Sequence, residues 1–364
     1  MRARTAQFPA TSLRSGLLLL TLSLSFLVCP ELQAQEFTDI KIRDAAPRLD
    51  GVALETPLLA FECSDERVRL LLKLENRQIT GSFKARGAWN QISLLTDEER
   101  ARGVIAASSG NHGKALSWAA QRAGVKATIV MPADAYPNKI AACRENGAEV
   151  VLGDTRAQAE EICAERVAAG AVLIHPYDAE RTAQGAGTVG LEIAEQDPSV
   201  EVVIAPVGGG GLITGVSLAV RQELGASVCV LGVEPEGAAS MQRGLAVGEP
   251  VLLEEITTEV QGLCPLSSGK LNVATCAETV DSVLLVTDDE VFAAQAELVR
   301  AGEVVEPAGA ATTALVLSGH LPARLLEGRT AADPLRVVAI VSGGNPDPAQ
   351  LEAVRLAQGL GEER

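Results

Sequence analysis

Short apolar runs alternate along the chain with longer segments in which small apolar residues recur at helical spacing. The runs at 68–75, 103–107, 126–131, 148–152, 171–175, 200–205, 228–233, 282–286 and 336–341 are rich in Val, Ile and Leu and read as strands. The intervening segments predict helices at 115–123, 138–146, 156–169, 187–195, 212–223, 288–300, 308–317 and 347–358. A polar helical segment at 38–50 and an extended entry at 52–59, containing Pro57, lead in, and 176–183 reads as a loop. Continuously apolar strands joined by helices imply parallel sheets with right-handed crossovers. The expected fold is therefore α/β, with two parallel-sheet, three-layer domains. The large one takes residues 36–102 and 177–364, and the small one, 103–176, is inserted into it. No internal repeat or low-complexity linker interrupts the pattern.

The chain has 364 residues, 47% of them hydrophobic, which is enough to bury sizeable cores. Its net charge of -16, without a basic stripe carrying interleaved aromatics, excludes nucleic acid and stable association with anionic membranes. The seven cysteines show no C-x-x-C pairing and read as buried free thiols of a reducing compartment. Residues 1–35 are separate. Arg2, Arg4 and Arg14 precede an apolar run at 16–29, which is the form of a secretory signal and too short to span a membrane comfortably. Either the segment is such a signal and the protein is exported, or the true start lies near Phe37 and the protein is cytoplasmic. The cysteine usage favours the cytoplasm.

Candidate chemistry gathers where runs end. After the strand at 68–75 comes Thr80-Gly81-Ser82-Phe83-Lys84, with Ser82 expected as a helix N-cap and Lys84 in the first turn. A cation there opposes the helix dipole, so Lys84 is either a solvated surface lysine or an amine kept for its chemistry. Gly208, Gly209, Gly210 and Gly211 separate an apolar strand from an apolar helix, where backbone N–H groups can wrap an anion. A flexible connector would not have such flanks. No Lys-Ser/Thr follows, so a nucleoside triphosphate cradle is not indicated, nor does the loop match the dinucleotide fingerprint. Ser108-Ser109-Gly110-Asn111 lies at the carboxyl end of a strand, where open α/β sheets place ligands. It can hold a carboxylate, or Ser109 or Asn111 can cap the next helix. Ser342-Gly343-Gly344 takes the same place on the last strand.

Gly81-Ser82-Phe83-Lys84, Ser108-Ser109-Gly110-Asn111-His112, the glycines 208–211 and Ser342-Gly343-Gly344-Asn345 occur in this order. Together they resemble the fold type II (tryptophan synthase β-like) pyridoxal-phosphate enzymes, in particular the threonine/serine dehydratase and serine racemase group. The resemblance runs over about residues 40–360. It implies that Lys84 carries the aldehyde of pyridoxal 5'-phosphate covalently, that Phe83 packs against its ring and that Asn111 meets the ring hydroxyl. Gly208, Gly209, Gly210 and Gly211 would cup the phosphate, and Ser342 would meet the pyridine nitrogen. A serine there leaves the ring a weaker electron sink than a carboxylate would, which suits elimination over transamination. Ser108, Ser109, Gly110 and His112 would surround the substrate. Ser109 is either a second base opposite Lys84 or a donor to the substrate carboxylate. Arg156 either closes over that carboxylate or merely starts a helix. Glu306 is either the acidic residue near the ring or a helix N-terminal charge.

Glu234 and Ala238 match two ligands of a divalent-cation site, for Mg2+, but the third, acidic position falls on Ser240. A hydroxyl replaces a carboxylate poorly on a hard cation. Where relatives carry an Ala-Asp-Gly-Leu-like stretch, this chain has Val260-Gln261-Gly262-Leu263, followed by 264–270 ending in Lys270. Lys270 either pairs with a second substrate carboxylate or is an exposed loop lysine. The implied activity is conversion of L-threonine or L-serine to a 2-oxo acid and ammonia by α,β-elimination, in a homodimer without an effector-binding domain. Serine racemase and 3-hydroxyaspartate dehydratase are the alternatives on the same scaffold. A β-replacement synthase would usually read Thr-Ser-Gly-Asn-Thr at the asparagine loop. From another class, a non-catalytic amino-acid-binding protein remains.

Overall fold

Along the last apolar run, Val337, Ala339 and Val341 pack on one side and Val338 and Ile340 on the other, and all five are buried. Such a run needs a strand on each edge and a helical layer on each face. The computed structural model, which describes residues 39–360, supplies both. The strands are β1 (Leu58–Phe61), β2 (Val68–Lys73), β3 (Val104–Ala107), β4 (Ala127–Pro132), β5 (Glu149–Gly153), β6 (Val172–Leu173), β7 (Val202–Pro206), β8 (Cys229–Pro235), β9 (Ser282–Val286) and β10 (Leu335–Ile340). One sheet has the order β1-β2-β10-β7-β8-β9, the other β5-β4-β3-β6. Every pairing is parallel except β1 with β2, where Leu58 faces Lys73. The segment 1–35, with its signal-like pattern, lies outside the described residues. Among those described, no helix is long and apolar enough to cross a membrane.

The helices Glu180–Gln196 and Gly211–Leu224 cover one face of the six-stranded sheet, and Asp288–Arg300 and Pro307–Leu317 cover the other. The helices Lys84–Ser93 and Asn111–Ala123 pack on one face of the four-stranded sheet and Arg156–Ala168 on the other. Lys84–Ser93 also packs against Glu180–Gln196, so the helix that starts at Lys84 joins the two sheets.

Several elements depart from the sequence expectation. The helix expected at 187–195 begins at Glu180, so the loop is four residues shorter than its expected end at 183. Its glycines look like helix breakers but serve close packing instead. A Cβ on Gly187 would come 2.7 Å from the Gly215 carbonyl, and one on Gly190 2.9 Å from that of Val216. Ser82 does not cap the Lys84 helix, because Phe83 already has helical backbone angles and Ser82 is drawn into a bridge with Gly343. The helices Asp97–Arg102, Ser240–Val247 and Lys270–Thr279 went unread. The first carries a full capping box, Thr96 with Glu99, whose signature was present in the sequence.

Beneath the Lys84 helix lies a buried ionic cluster. Arg86 places its guanidinium between Glu75 (2.7 and 2.8 Å) and Glu192 (2.6 and 2.9 Å) and also reaches the Leu54 carbonyl. Lys73 meets Glu192 at 2.5 Å, and Lys73, Glu75 and Arg86 are at most 1% exposed. Cutting one partner from such a cluster leaves an uncompensated buried charge. Arg86→Met should therefore lower unfolding free energy by about 3–5 kcal/mol. Urea unfolding checks this, and a loss below about 1 kcal/mol, the ordinary surface-substitution range, would contradict it.

Candidate active site

The chain leaves β2, makes a 3-10 turn at Glu75–Arg77 and turns sharply at Gly81, whose φ is 75°. Gly344 N–H donates to the Gly81 carbonyl at 2.7 Å, and Phe83 N–H to that of Ser342 at 3.2 Å. The loop before Lys84 is thus stitched to the loop after β10. Lys84 opens its helix, donates from Nζ to the Pro176 carbonyl at 2.6 Å and lies 5.0 Å from the Phe83 ring centre. Among the described residues no carboxylate pairs with it, and desolvation pulls its pKa down to about 8. A half-buried ammonium with no carboxylate partner among the described residues is a costly way to start a helix, which weighs against the surface-lysine alternative.

The glycine loop follows β7. The Gly209 carbonyl accepts from Asn272 Nδ2 at 2.7 Å and from Gly269 N–H at 3.0 Å. Among the described residues, no protein acceptor takes the amides of Gly208, Gly209, Gly210 or Gly211. Pinning a carbonyl outward leaves donors for an anion, at the N-terminus of the helix Gly211–Leu224. Side chains are excluded here. Gly210 sits at φ 97°, and a Cβ on Gly209 would land in the Tyr177 ring.

Ser108 closes the end of β3 by accepting from Gly113 N–H at 3.2 Å and more distantly from Gly110 N–H. Neither Ser109 nor Asn111 caps the next helix. Ser109 is half-buried, and its hydroxyl has no protein partner among the described residues. Asn111 donates from Nδ2 to Glu306, a buried carboxyl whose pKa burial raises. Among the described residues, the Ser342 hydroxyl has only a 3.4 Å contact to the Ala308 carbonyl, and the neighbouring Ser82 hydroxyl is buried with no partner. Lys84, Phe83, the glycines, Asn111, Glu306 and Ser342 therefore share one junction, where carboxyl ends of strands from both sheets meet.

Other expected residues stand differently. His112 is buried, its Nε2 meets the Ile174 carbonyl at 2.8 Å, and burial with Lys84 nearby pushes its pKa to about 3. It is a neutral ring tied to the four-stranded sheet. Arg156 is exposed at the start of its helix. Glu234 accepts from Met241 N–H at 2.8 Å and Gln242 N–H at 2.9 Å, so both oxygens anchor the helix Ser240–Val247. Ala238 is the buried last residue of the turn Glu236–Ala238, and Ser240 pairs with Ser268 at 2.8 Å. Among the described residues, no group of three His, Cys, Asp or Glu side chains is arranged to hold a metal. Lys270 is exposed, but on the first turn of a helix. In the departing stretch, Gln261 reaches the Tyr136 hydroxyl at 3.0 Å.

The model of the family described as pyridoxal-phosphate dependent enzyme matches residues 50–343. The chain belongs to that family. A catabolic L-threonine dehydratase of Staphylococcus aureus is 36% identical over 322 residues, 86% of this chain and 90% of the relative. An L-threonine ammonia-lyase of Thermotoga maritima is 38% identical over 318 residues, 86% of this chain and 77% of the relative. Maize serine racemase is 32% identical, with a TM-score of 0.78 over 87% of this chain and 96% of its own.

The residues present fit pyridoxal phosphate. An unpaired amine near neutrality suits its aldehyde, and the free amides at 208–211 suit its phosphate. Four supporting residues of this pyridoxal-phosphate enzyme escaped the sequence reading. The Pro176 carbonyl accepts a hydrogen bond from Lys84 Nζ, Tyr177 walls the glycine loop, and Asn272 pins it. Asp178 accepts from Lys270 N–H at 3.1 Å and Leu271 N–H at 3.0 Å, fixing the helix that carries Asn272. The aromatic and acidic residues after His175 were the available signal.

A folded-state pKa of about 8, below the ordinary 10.5, has a cost. It destabilises the cofactor-free protein fully below about pH 8 and fades as pH rises toward 10.5. Lys84→Met should thus stabilise the cofactor-free protein at pH 7, by up to about 3 kcal/mol, and lose that advantage near pH 10.5. Urea titrations at both pH values check this, and an equal effect at both would contradict it.

Proposed function

We propose that this enzyme is an ammonia-lyase that converts L-threonine or L-serine to the corresponding 2-oxo acid and ammonia. The observation that carries the proposal is Lys84: a half-buried amine with no carboxylate partner among the described residues, between an open glycine cup and the strand-end loops. The relatives named as threonine dehydratase and ammonia-lyase support the substrate class. When bound, pyridoxal phosphate supplies the electron sink for the electron pair left on Cα.

Lys84 would hold the cofactor and, once displaced by the substrate amine, take the Cα proton as general base; a pKa of about 8 suits that task. The amides at 208–211 would hold the phosphate. Phe83 would pack on the ring, with Asn111 at its hydroxyl and Ser342 at its nitrogen. Ser108 already accepts from backbone amides, so its own proton is left to donate toward a carboxylate beside Ser109 and Gly110. Arg156, exposed at its helix start, would add positive charge toward the substrate carboxylate. The overall change expels the β-hydroxyl and the amine and adds one water, so no external oxidant is needed.

Ser109 carries a second reading. Its unpartnered hydroxyl stands in the asparagine loop, where it would return a proton on the face opposite Lys84 and give some racemisation. We further infer that residues 103–176 form an inserted unit, since the four-stranded sheet is built wholly within them. A homodimer is supported by the exposed Leu54 and Ile79 flanking Gln78. The unpaired state of all six described cysteines supports a cytoplasmic location.

Purified protein loaded with cofactor should release 2-oxo acid from L-threonine and L-serine. Lys84→Ala should lower that release by about a hundredfold or more while far-UV dichroism is kept; retained turnover would overturn the assignment. Ser109→Ala should remove any D-serine formed from L-serine and spare elimination. Parallel loss of both activities would end the second-base reading.

A further inference from the structure

Asparagine presents two nearly isosteric orientations, one offering N–H and the other a carbonyl, and only its partners select between them. Asn111 is placed at the cofactor ring by the reading above, so its orientation matters to what the ring meets. The selection can be traced outward. Asn345 accepts at Oδ1 from Lys114 Nζ at 2.7 Å, and an ammonium only donates. Asn345 Nδ2 donates to the Thr80 carbonyl at 3.0 Å, and a carbonyl only accepts. Both ends of Asn345 are thus read by partners without ambiguity. Its second N–H then points at Asn111 Oδ1, 2.8 Å away, which must accept. Asn111 Nδ2 is consequently turned toward Glu306.

Nothing in this chain of bonds is loose. Asn345 also has its backbone carbonyl taken by Lys139 Nζ and aims its backbone N–H at Glu306. The approach exists because residue 81 is glycine: a Cβ there would come 2.6 Å from Asn345 Oδ1. Asn111 and Lys114 are one turn apart on the same helix, whereas Asn345 lies beyond β10 in the other sheet. The loop after β10 therefore reads the helix at two points.

We propose that Asn345 and Lys114 are positioning residues that hold Asn111 in the orientation presenting N–H to the cofactor ring oxygen. The proposal rests on the placement of Asn111 given under the proposed function. Lys114 sets the polarity of the relay, Asn345 transmits it and Asn111 delivers it. An acceptor at residue 345 in place of the amide would break the relay without changing its shape.

The test uses full-length Asn345→Asp, Lys114→Met, Lys114→Arg and Asn111→Ala. Each cofactor-free protein is titrated with pyridoxal phosphate, and the visible absorption of each loaded protein is recorded. Asn345→Asp keeps the Lys114 partner but replaces the two N–H donors with an acceptor. It and Lys114→Met should each weaken cofactor binding about tenfold, the scale of one lost charge-assisted hydrogen bond. Both should shift the spectrum in the direction of Asn111→Ala, while Lys114→Arg restores it. Combining Asn345→Asp with Asn111→Ala should add nothing further. Wild-type affinity and spectrum in Asn345→Asp and Lys114→Met, or losses that add in full to that of Asn111→Ala, would overturn the relay. If Asn111→Ala itself leaves both readouts unchanged, the placement of Asn111 fails and the relay with it. Should Asn345→Asp not fold, Lys114→Met decides alone.

Discussion

A half-buried lysine ammonium, held by one backbone carbonyl with no carboxylate partner among the described residues, is the constraint on which the site depends. Everything around Lys84 works to keep it there. Its helix is anchored two residues on by Arg86, whose guanidinium is locked between two carboxylates, and the loop before it is bonded to the loop after β10. The fold thus supplies from packing and ion pairing what the amine lacks locally. Burial lowers the proton affinity of the nitrogen, and the same burial makes it a usable nucleophile and base.

The two sheets divide the remaining work. The six-stranded sheet ends in the glycine cup and in Ser342, and the four-stranded sheet ends in the serine–asparagine loop. Because the Lys84 helix packs on helices of both, the amine lies where they meet. A cofactor with an anionic tail, a polar ring edge and an aldehyde needs three kinds of recognition in one volume. Strand ends from two sheets deliver them without any long loop.

The strands and most helices were legible because β7, β8 and β10 are apolar on both faces and cannot be mistaken for surface segments. The four motifs were legible because each interrupts such a run with residues no core would choose. What stayed hidden depended on distant contacts. His112 resembles a substrate ligand until its ring is found on the Ile174 carbonyl. Ser82 reads as a cap, but a bridge to a residue 261 positions later sets its backbone otherwise. Glu234 matches a metal-ligand position in the sequence, and only the structure shows that its two oxygens also accept from amides of the helix Ser240–Val247. Asn272 and Pro176 carry no local signature, since their roles exist only once remote segments are brought together.

The central claim is that the Lys84 side-chain nitrogen is the atom joined to the cofactor. Borohydride reduction of the loaded enzyme, followed by peptide mass mapping, tests it directly. The account predicts a phosphopyridoxyl group on the peptide containing Lys84 and on no other lysine. A label at a different lysine, or an unmodified Lys84 in cofactor-saturated protein, would contradict it.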